Sequence, residues 1–362
     1  MIFLKKLVDQ IKQYIFSRGG SLVAVAISGE AVRVVELSKK GDQYTVENLL
    51  SCRVRKEATE EGESGGMDEK SIALKKIVDE LGLMGRGACS SVSNVLVMSK
   101  VIELSSSLTA VEIEHEVMLE IDQFVPYPIE DISFDYEVQH ELGSNPEQIQ
   151  VLLVASRREN VEDQVEVLST AGLKPVVLDV DVYAMERAFA LLVHQFPEGV
   201  VEKPIAVFDF SEKSVVQYVM YGGRTIYTRE QSLGGQQSQK QKESHHFYGA
   251  ETVSLEEESL RNTIPLEDPV VIINNAMVVQ QVLRGLQFYE SANINDGIGY
   301  IVLAGDIDVH NGIEEVIRQQ VGVAVLIANP FQEMVFSEQL DMMDKSPSLF
   351  MVASGLALRG VR

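Results

Sequence analysis

The sequence has few cysteines and no long apolar run. Of its 362 residues only Cys52 and Cys89 are cysteines, and they stand far apart without metal-ligand spacing. The scarcity of cysteine excludes a disulfide framework and suits a reducing compartment. No stretch of about 18 consecutive apolar residues occurs, so the sequence contains no predicted membrane-spanning helix.

Basic residues are also scarce. The chain has 54 acidic and 31 basic residues, which gives a formal net charge of −23. Such a charge repels nucleic acid and disfavours a broad membrane-binding face. Non-specific binding to nucleic acid is therefore excluded.

The signatures of common enzyme classes are missing as well. The sequence has no P-loop pattern GxxxxGK(S/T), no Ser/His/Asp arrangement and no cluster of metal ligands. His245 and His246 are adjacent, so on a helix their side chains would point about 100° apart and would not share a metal easily. The sequence predicts neither a catalytic residue nor a metal site.

One short pattern occurs twice, about half a chain apart. Residues 205–220 (IAVFDFSEKSVVQYVM) and residues 22–37 (LVAVAISGEAVRVVEL) each read as a strand, a small polar turn and a second strand. The alignment places Ser211 on Ser28. A third predicted strand follows each copy, which favours a duplicated domain over chance similarity.

Strands and helices alternate along the rest of the chain, which predicts an α/β fold. Thr109 and Glu112 form a capping box that begins a helix reaching Phe124, and Pro126 ends it. Asp181 is the predicted N-cap of another helix. Further predictions are a strand at residues 92–98, a helix in the polar segment up to Tyr248, a helix at residues 255–260, and a final helix at residues 348–358 with small residues at its centre (Ala353, Ser354 and Gly355).

The first residues carry positive charge in an otherwise acidic protein. Apolar residues recur at helical spacing from Leu4 to Ile15, between the basic residues Lys5, Lys6, Lys12 and Arg18. The pattern predicts an amphipathic helix over residues 1–20, without the h-region and cleavage site of a signal peptide. Through residues 1–18 this helix would either contact an anionic membrane surface or a partner, or it would pack on the body as an ordinary helix.

Residues 100–136 carry the most specific signal in the chain. They include Phe124, Val125, Pro126, Tyr127 and Pro128, which resemble the (Y/F)-(I/V)-P-Y-P signature of the PilM family, actin-like proteins of type IV pilus assembly related to FtsA. Further matching segments are VLLVASR at 151–157, AGLKP at 171–175, DVDVYAMERA at 179–188, Gly234 with Gly235, residues 286–288 and residues 303–305. The chain is similar to this family over nearly its whole length.

The resemblance implies an actin-like fold, in which two RNase-H-like halves face a cleft. The halves would be residues 21–200 and residues 201–362, preceded by the basic helix of residues 1–20. A small subdomain would be inserted in the first half at about residues 92–173. The linker at residues 196–204 lies where the boundary between the halves is expected.

The resemblance also implies a partner. PilM-like proteins take the N-terminal cytoplasmic tail of the bitopic membrane protein PilN into a groove beside the inserted subdomain. Phe124 and Tyr127 are the candidate residues for contacting the tail, although the same segment could be a rigid helix stop that packs on its own subdomain. The protein would be cytoplasmic, peripheral to a bacterial inner membrane, and in reach of other pilus alignment, platform or motor proteins.

Proteins of this fold bind ATP and Mg²⁺ between two loops of the form D-x-G-(S/T), whose glycine lets backbone N–H groups approach phosphate. In the first loop Ala26 and Ser28 replace the aspartate and the glycine. In the second loop Asp209 is retained but Ser211 replaces the glycine. The residues that the resemblance would assign to ATP are Ser28, Gly29, Asp209, Ser211, Lys213, Gly234, Gly235 and Gly305.

Two functions from different classes remain. The first is a non-catalytic adaptor with a degenerate nucleotide cleft, and the second is an actin-like ATP-binding protein whose nucleotide state switches partner binding. The loop replacements, with Glu30 and Glu212 beside the phosphates, favour the adaptor. A third interpretation, a relative such as GspL or FtsA, would need a transmembrane helix or a C-terminal amphipathic helix, and neither is predicted here.

Overall fold

The computed structural model describes residues 21–28, 30–54, 68–139, 147–233, 243–244, 275–292, 297–307, 312–337, 340 and 346–361. Within these ranges no helix is long and apolar enough to cross a membrane. Several predictions concern residues outside these ranges, namely the helix over residues 1–20, the helix at residues 255–260, the two adjacent histidines, and the candidate ATP-binding residues Gly29, Gly234 and Gly235.

Strands and helices alternate along the chain, as predicted. The strands are β1 (Val23–Ile27), β2 (Ala31–Lys40), β3 (Gln43–Arg53), β4 (Gly87–Val92), β5 (Val97–Ser105), β6 (Ile132–Gln139), β7 (Gln148–Arg157), β8 (Lys174–Val180), β9 (Ile205–Phe210), β10 (Ser214–Tyr221), β11 (Arg224–Ser232), β12 (Glu243–Ser244), β13 (Tyr300–Gly305), β14 (Ala324–Ile327) and β15 (Val335–Phe336). The helices are α1 (Glu69–Glu80), α2 (Ala110–Phe124), α3 (Arg158–Thr170), α4 (Asp181–Ala190), α5 (Asn275–Ser291), α6 (Ile313–Val321) and α7 (Met351–Gly360).

The two larger sheets share one opening topology. The strand order is β15-β3-β2-β1-β4-β8 in the first sheet and β12-β11-β10-β9-β13-β14 in the second. An antiparallel meander begins each, and its first strand pairs on the other side with a parallel strand. Ile27 pairs with Val32, and Phe210 pairs with Val215, so the two hairpins have the same register. The duplicated hairpin predicted from the sequence is confirmed.

Helices cover both faces of the first sheet. On one face α1 and α3 pack through Leu74 and Leu168. On the other face α7 packs through Leu356, so the last helix returns to the first sheet. A further core joins the halves, where Met185 of α4 packs in one cluster with Val207 of β9. Buried apolar contacts therefore link the two large sheets.

The third sheet, of order β5-β7-β6, forms a small unit with α2. Ile113 of α2 packs on Val151 of β7. The capping box is confirmed, because Thr109 Oγ1 accepts from the Glu112 N–H at 3.4 Å and Glu112 Oε2 accepts from the Thr109 N–H at 2.7 Å. This unit lies inside residues 92–173, and the boundaries proposed for that subdomain and for the two halves stay predictions.

The predicted strand over residues 92–98 is wrong as a continuous element. β4 ends at Val92, and residues 94–96 form a short 3₁₀ helix before β5 begins. All six residues of β4 are buried, yet most are small, so the alternation and bulk that usually mark a strand are absent.

Two other local predictions are corrected. Val180, and not Asp181, is the N-cap of α4, and the Asp181 carboxylate instead accepts from Ser91 Oγ at 2.5 Å. Of the polar segment up to Tyr248, where the sequence predicts a helix, the structure describes only Glu243 and Ser244, and these form β12, which pairs with β11. Both outcomes depend on residues distant in the sequence, which local pattern does not encode.

Candidate functional site

The turns of the two duplicated hairpins are closed in the same way by a serine. The Ser28 N–H donates to the Ala31 carbonyl at 2.9 Å, Ser28 Oγ donates to that carbonyl at 3.0 Å, and the Ala31 N–H donates back to Oγ at 3.0 Å. Ser211 repeats these three contacts with Ser214, at 2.8, 3.0 and 3.1 Å. Each hydroxyl is therefore engaged in stabilising its own turn.

Two half-buried carboxylates lie beside the turns. Burial raises the pKa of Asp181 to about 7; the hydrogen bond from Ser91 opposes this rise, and the nearby charge of Asp209 adds to it. Burial likewise raises the pKa of Asp209 to about 6, and Arg33 partly offsets the rise. Both carboxyl groups therefore take up protons nearer to neutral pH than an ordinary aspartate does.

Arginines of the first half face carboxylates of the second half. Arg33 on β2 is the cation that acts on Asp209. Arg53, the last residue of β3, pairs with Glu212 at 3.1 Å and with Asp306 at 3.5 Å. Glu212 stands in the second turn, and Asp306 directly follows β13. The cleft between the halves is thus bridged by ion pairs of the chain itself.

The same contacts bring the two turns together. The Val54 N–H donates to the Glu30 carbonyl at 2.8 Å, so Arg53 lies beside the first turn while it pairs with the second. Lys213 is exposed in the second turn, and its carbonyl accepts from the Leu233 N–H at 2.7 Å.

Gly305 ends β13 where the backbone closely approaches β9. It has φ +82°, and a Cβ at this position would lie 2.0 Å from the Phe210 carbonyl oxygen and 2.7 Å from Asp209 Oδ1. Ser348 Oγ donates to the Gly305 carbonyl at 3.0 Å. Glycine is therefore required here by the packing of the chain on itself.

The described residues of the two turns do not fit Mg²⁺ and the phosphates of ATP. Ser28 and Ser211 stand where glycine would expose backbone N–H groups, and their hydroxyls are already bonded within the turns. A phosphate between the turns would also meet Glu212 and Asp209, and like charges at short range disfavour binding. Among the described residues, no three His, Cys, Asp or Glu side chains lie close enough together to hold a metal ion.

Replacing Arg53 by alanine should loosen the cleft. Its side chain is 60% exposed, so the ion pairs contribute about 0.2–1 kcal/mol. We expect the amides of the two serine turns to exchange hydrogen a few-fold faster in the variant at low salt, and the difference to vanish at high salt. Lys40→Ala, at an exposed position of β2, is the matched control. Equal exchange in Arg53→Ala and the parent protein would show that the ion pairs do not hold the cleft.

Phe124 and Tyr127 contact basic residues of their own unit. Lys100 Nζ lies 5.5 Å from the centroid of the Phe124 ring, and Arg157 Cζ lies 5.3 Å from that of Tyr127. Both aromatic side chains are half-buried and pack on the core beneath α2. Contact between these residues and a partner stays a prediction.

The third sheet has a second face, turned away from α2. Leu153 of β7 points into the core beneath α2, so its neighbour Leu152 points the other way. In the register of the sheet Leu152 lies between Val101 of β5 and Glu137 of β6. We call this surface the acidic face; it is formed by Val101, Glu103, Asp135, Glu137 and Leu152.

One side of the acidic face meets the first half. Val154, in the next row of β7, packs with Tyr183 of α4 in the core between the halves. Burial raises the pKa of Tyr183, and Glu137 adds to that rise. Partial desolvation also raises the pKa of Asp135, while the hydrogen bond from the Tyr136 N–H and then the charge of Arg359, near the end of α7, partly offset the rise. The acidic face therefore adjoins α4 and α7.

The cleft arginines and the acidic face are not among the features predicted from the sequence. Arg33 and Arg53 carry no local signal, because their partners are distant in the sequence. Asp135 and Glu137 do give a local signal for the acidic face, since acidic residues two apart in a predicted strand lie on the same face.

Comparisons with known proteins agree with the observed architecture. A family model described as type IV pilus assembly protein PilM matches residues 24–361. A chain of the solved PilM-PilN type IV pilus biogenesis complex is 22% identical, with a TM-score of 0.64 over 94% of this chain and 99% of that chain. A Bacteroides thetaiotaomicron protein with an actin-like ATPase fold is 9% identical, with a TM-score of 0.40 over 87% of this chain and 93% of its own. MreB5 of Spiroplasma citri, solved bound to ADP, is 8% identical, with a TM-score of 0.38 over 94% and 95%.

The match to the chain of the PilM-PilN complex, at a TM-score of 0.64, confirms the predicted actin-like fold. The match to the family model begins in β1 and ends directly after α7, so it covers both large sheets, the third sheet and the cleft. The chain belongs to the PilM family of type IV pilus assembly proteins.

Proposed function

We propose that the chain is a non-catalytic adaptor of type IV pilus assembly that binds the N-terminal cytoplasmic tail of a PilN-like bitopic membrane protein. Such binding would hold the adaptor at the cytoplasmic side of the inner membrane. Membership of the PilM family supports the pilus role. The PilM-PilN complex, which contains a chain of similar fold, supports the choice of partner.

The acidic face is the observation that carries this proposal. Leu152 and Val101 are only half-buried, and Glu103 and Glu137 are exposed beside them. A tail with apolar and basic residues could place the apolar ones on Leu152 and the basic ones on the carboxylates. Because the face adjoins α4, a bound tail would contact both the third sheet and the first half.

The cleft supports an adaptor over an ATPase. Its serine turns are closed by their own hydrogen bonds, and Arg53 bridges the halves without any ligand. A protein that changes partner affinity on nucleotide binding would need a nucleotide that distinguishes open from closed states. The described residues of the cleft offer poor chemistry for that task.

Peptide binding tests the proposal directly. We expect a labelled peptide of the PilN-like tail from the same organism to bind with micromolar or tighter affinity in fluorescence anisotropy, unchanged by Mg-ATP. Reversing two charges in Glu103→Lys/Glu137→Lys should weaken binding at least about tenfold, because the variant repels basic residues. Glu198→Lys/Glu290→Lys, at exposed positions outside the third sheet and α2, makes the same change in net charge and should bind as the parent does.

Three other results of the peptide-binding test would contradict parts of the proposal. Binding that requires Mg-ATP would favour the nucleotide-switch function and contradict the assignment of the cleft. Loss of binding in Phe124→Ala or Tyr127→Ala, with Glu103→Lys/Glu137→Lys unaffected, would move the site to the end of α2. Absence of binding in all conditions would overturn the adaptor proposal.

A further inference from the structure

The first twenty residues of the chain have chemistry complementary to the acidic face. They carry four basic side chains (Lys5, Lys6, Lys12 and Arg18) against the single acidic residue Asp9. Apolar residues recur among them at Leu4, Leu7, Val8, Ile11 and Ile15. The acidic face combines three carboxylates with two half-buried apolar side chains, so charge and apolar character are matched on the two sides.

These residues join the fold beside the end of α7, and α7 is linked to the acidic face through α4. Leu22 packs against Gly360 at the end of α7, where a Cβ would lie 2.7 Å from Leu22 Cβ. α7 packs on α4 where Gly355 meets Ala184, and Tyr183 of α4 packs with Val154 beside the acidic face. At about 3.3 Å per extended residue, a segment of twenty residues spans up to about 66 Å.

We propose that residues 1–18 bind the acidic face of their own chain and compete there with a partner tail. This inference rests on the proposed function of the acidic face. A tethered segment has an effective concentration in the millimolar range, so an intrinsic dissociation constant of about 0.1 mM would weaken an external peptide about tenfold. The N-terminal segment thereby sets the apparent affinity of the adaptor for its membrane partner.

Competition in the full-length chain is the first test. The probe is a labelled peptide that copies residues 1–20, and the variant is Lys5→Glu/Lys6→Glu/Lys12→Glu, which alters no residue of the described body. We expect the peptide to bind the variant about tenfold more tightly than the parent, because the variant's own segment no longer covers the face. Equal affinity for both chains would overturn the proposal.

Zero-length carbodiimide cross-linking is the second test. In the parent chain we expect Lys5, Lys6 or Lys12 to be joined to Glu103, Asp135 or Glu137, as read by mass spectrometry. Asp135→Lys/Glu137→Lys should lose the links at positions 135 and 137, and its combination with Lys5→Glu/Lys6→Glu/Lys12→Glu should restore links between the swapped positions. Failure of the charge swap to restore them would contradict the proposed contact.

Mixing isotopically light and heavy chains separates contact within one chain from contact between copies. Mixed-isotope links would show contact between copies and overturn the proposal.

The tail peptide of the PilN-like protein separates a failure of the competition from a failure of the proposed function. If it binds parent and Lys5→Glu/Lys6→Glu/Lys12→Glu equally well, competition fails while the proposed function stands; if it binds neither, the proposed function fails.

Discussion

Replacing Gly355 by alanine should destabilise the protein by about 3 kcal/mol, although alanine is favoured over glycine in a helix by about 1 kcal/mol. Gly355 lies in α7 where that helix crosses α4. A Cβ at this position would lie 1.8 Å from the carbonyl oxygen of Ala184. Because that oxygen belongs to the backbone, it cannot turn away as a side chain could. The two helices would have to separate.

Separation would also disturb a polar network between the helices. Arg187 Nε donates to the Gly355 carbonyl at 2.9 Å, and the same guanidinium pairs with the buried carboxylate of Asp179. Arg359 reaches that carboxylate from the end of α7 at 3.2 Å. A buried carboxylate that loses one of its arginines incurs a desolvation cost without full compensation.

Urea denaturation followed by circular dichroism measures the effect. Gly297→Ala is the matched control, because no atom lies within 4 Å of a Cβ built there and its φ is not positive. We expect the control to be as stable as the parent protein. If Gly355→Ala unfolded at the same urea concentration as the control, the close contact between α4 and α7 would not exist in solution.

Local and repeated patterns are sufficient to predict much of the fold. The two hairpins align in sequence with Ser28 on Ser211, and the structure gives these serines the same three hydrogen bonds. The capping box of Thr109 and Glu112 is predictable because both partners lie within one turn. The capping box depends on residues close in the sequence, and the two hairpins share the same strand register because their sequences repeat.

Features that depend on distant residues are not predictable in the same way. The sequence shows small residues at the centre of the last helix, but nothing in it places Gly355 against Ala184. Asp181 has the character of a helix cap, yet its carboxylate bonds to Ser91, which lies on another strand. The family resemblance predicts a cleft between two halves, but it does not predict the arginines that bridge it. Ion pairs between the halves join residues distant in the sequence and leave no periodic pattern.

In the candidate site, too, the features set by nearby residues are predictable and those set by distant residues are not. Asp209, Ser211 and Gly305 stand out in the sequence by their place in the loops, and the structure shows Gly305 beside Asp209. Their assignment to ATP stays a prediction that the chemistry of the turns disfavours. The acidic face could not be predicted from the sequence, because it depends on the register of β5, β6 and β7, which places Val101, Leu152 and Glu137 in one row.

Asparagine in place of Asp181 should stabilise the protein at pH 8 and remove part of its dependence on pH. Burial raises the pKa of this carboxyl group from an ordinary 3.8 to about 7. Between these two values the folded protein keeps a proton that the unfolded chain has lost. The free energy of unfolding of the parent protein should therefore fall as the pH rises from about 4 to about 7, and stay low above it.

The expected magnitude follows from the same values. A rise from 3.8 to about 7 corresponds to about 4 kcal/mol. Asp181 is only half-buried, and its contact with solvent lowers the expected effect to about 2 kcal/mol. The asparagine amide is neutral at every pH, and its oxygen can still accept from Ser91. Asp181→Asn should thus exceed the parent in stability by about 2 kcal/mol at pH 8 and equal it near pH 4.

Urea denaturation at several pH values between 4 and 8 tests this expectation. Asp122→Asn, at an exposed position of α2, controls for the loss of one negative charge from a strongly acidic protein. Parallel curves for Asp181→Asn and the parent would show that Asp181 ionises as an ordinary aspartate. A gap that widens with pH would instead show that the cleft holds an uncompensated carboxylate near neutral pH. An ATP phosphate brought beside such a group would add a second negative charge, so the same measurement tests one premise of the proposed adaptor function.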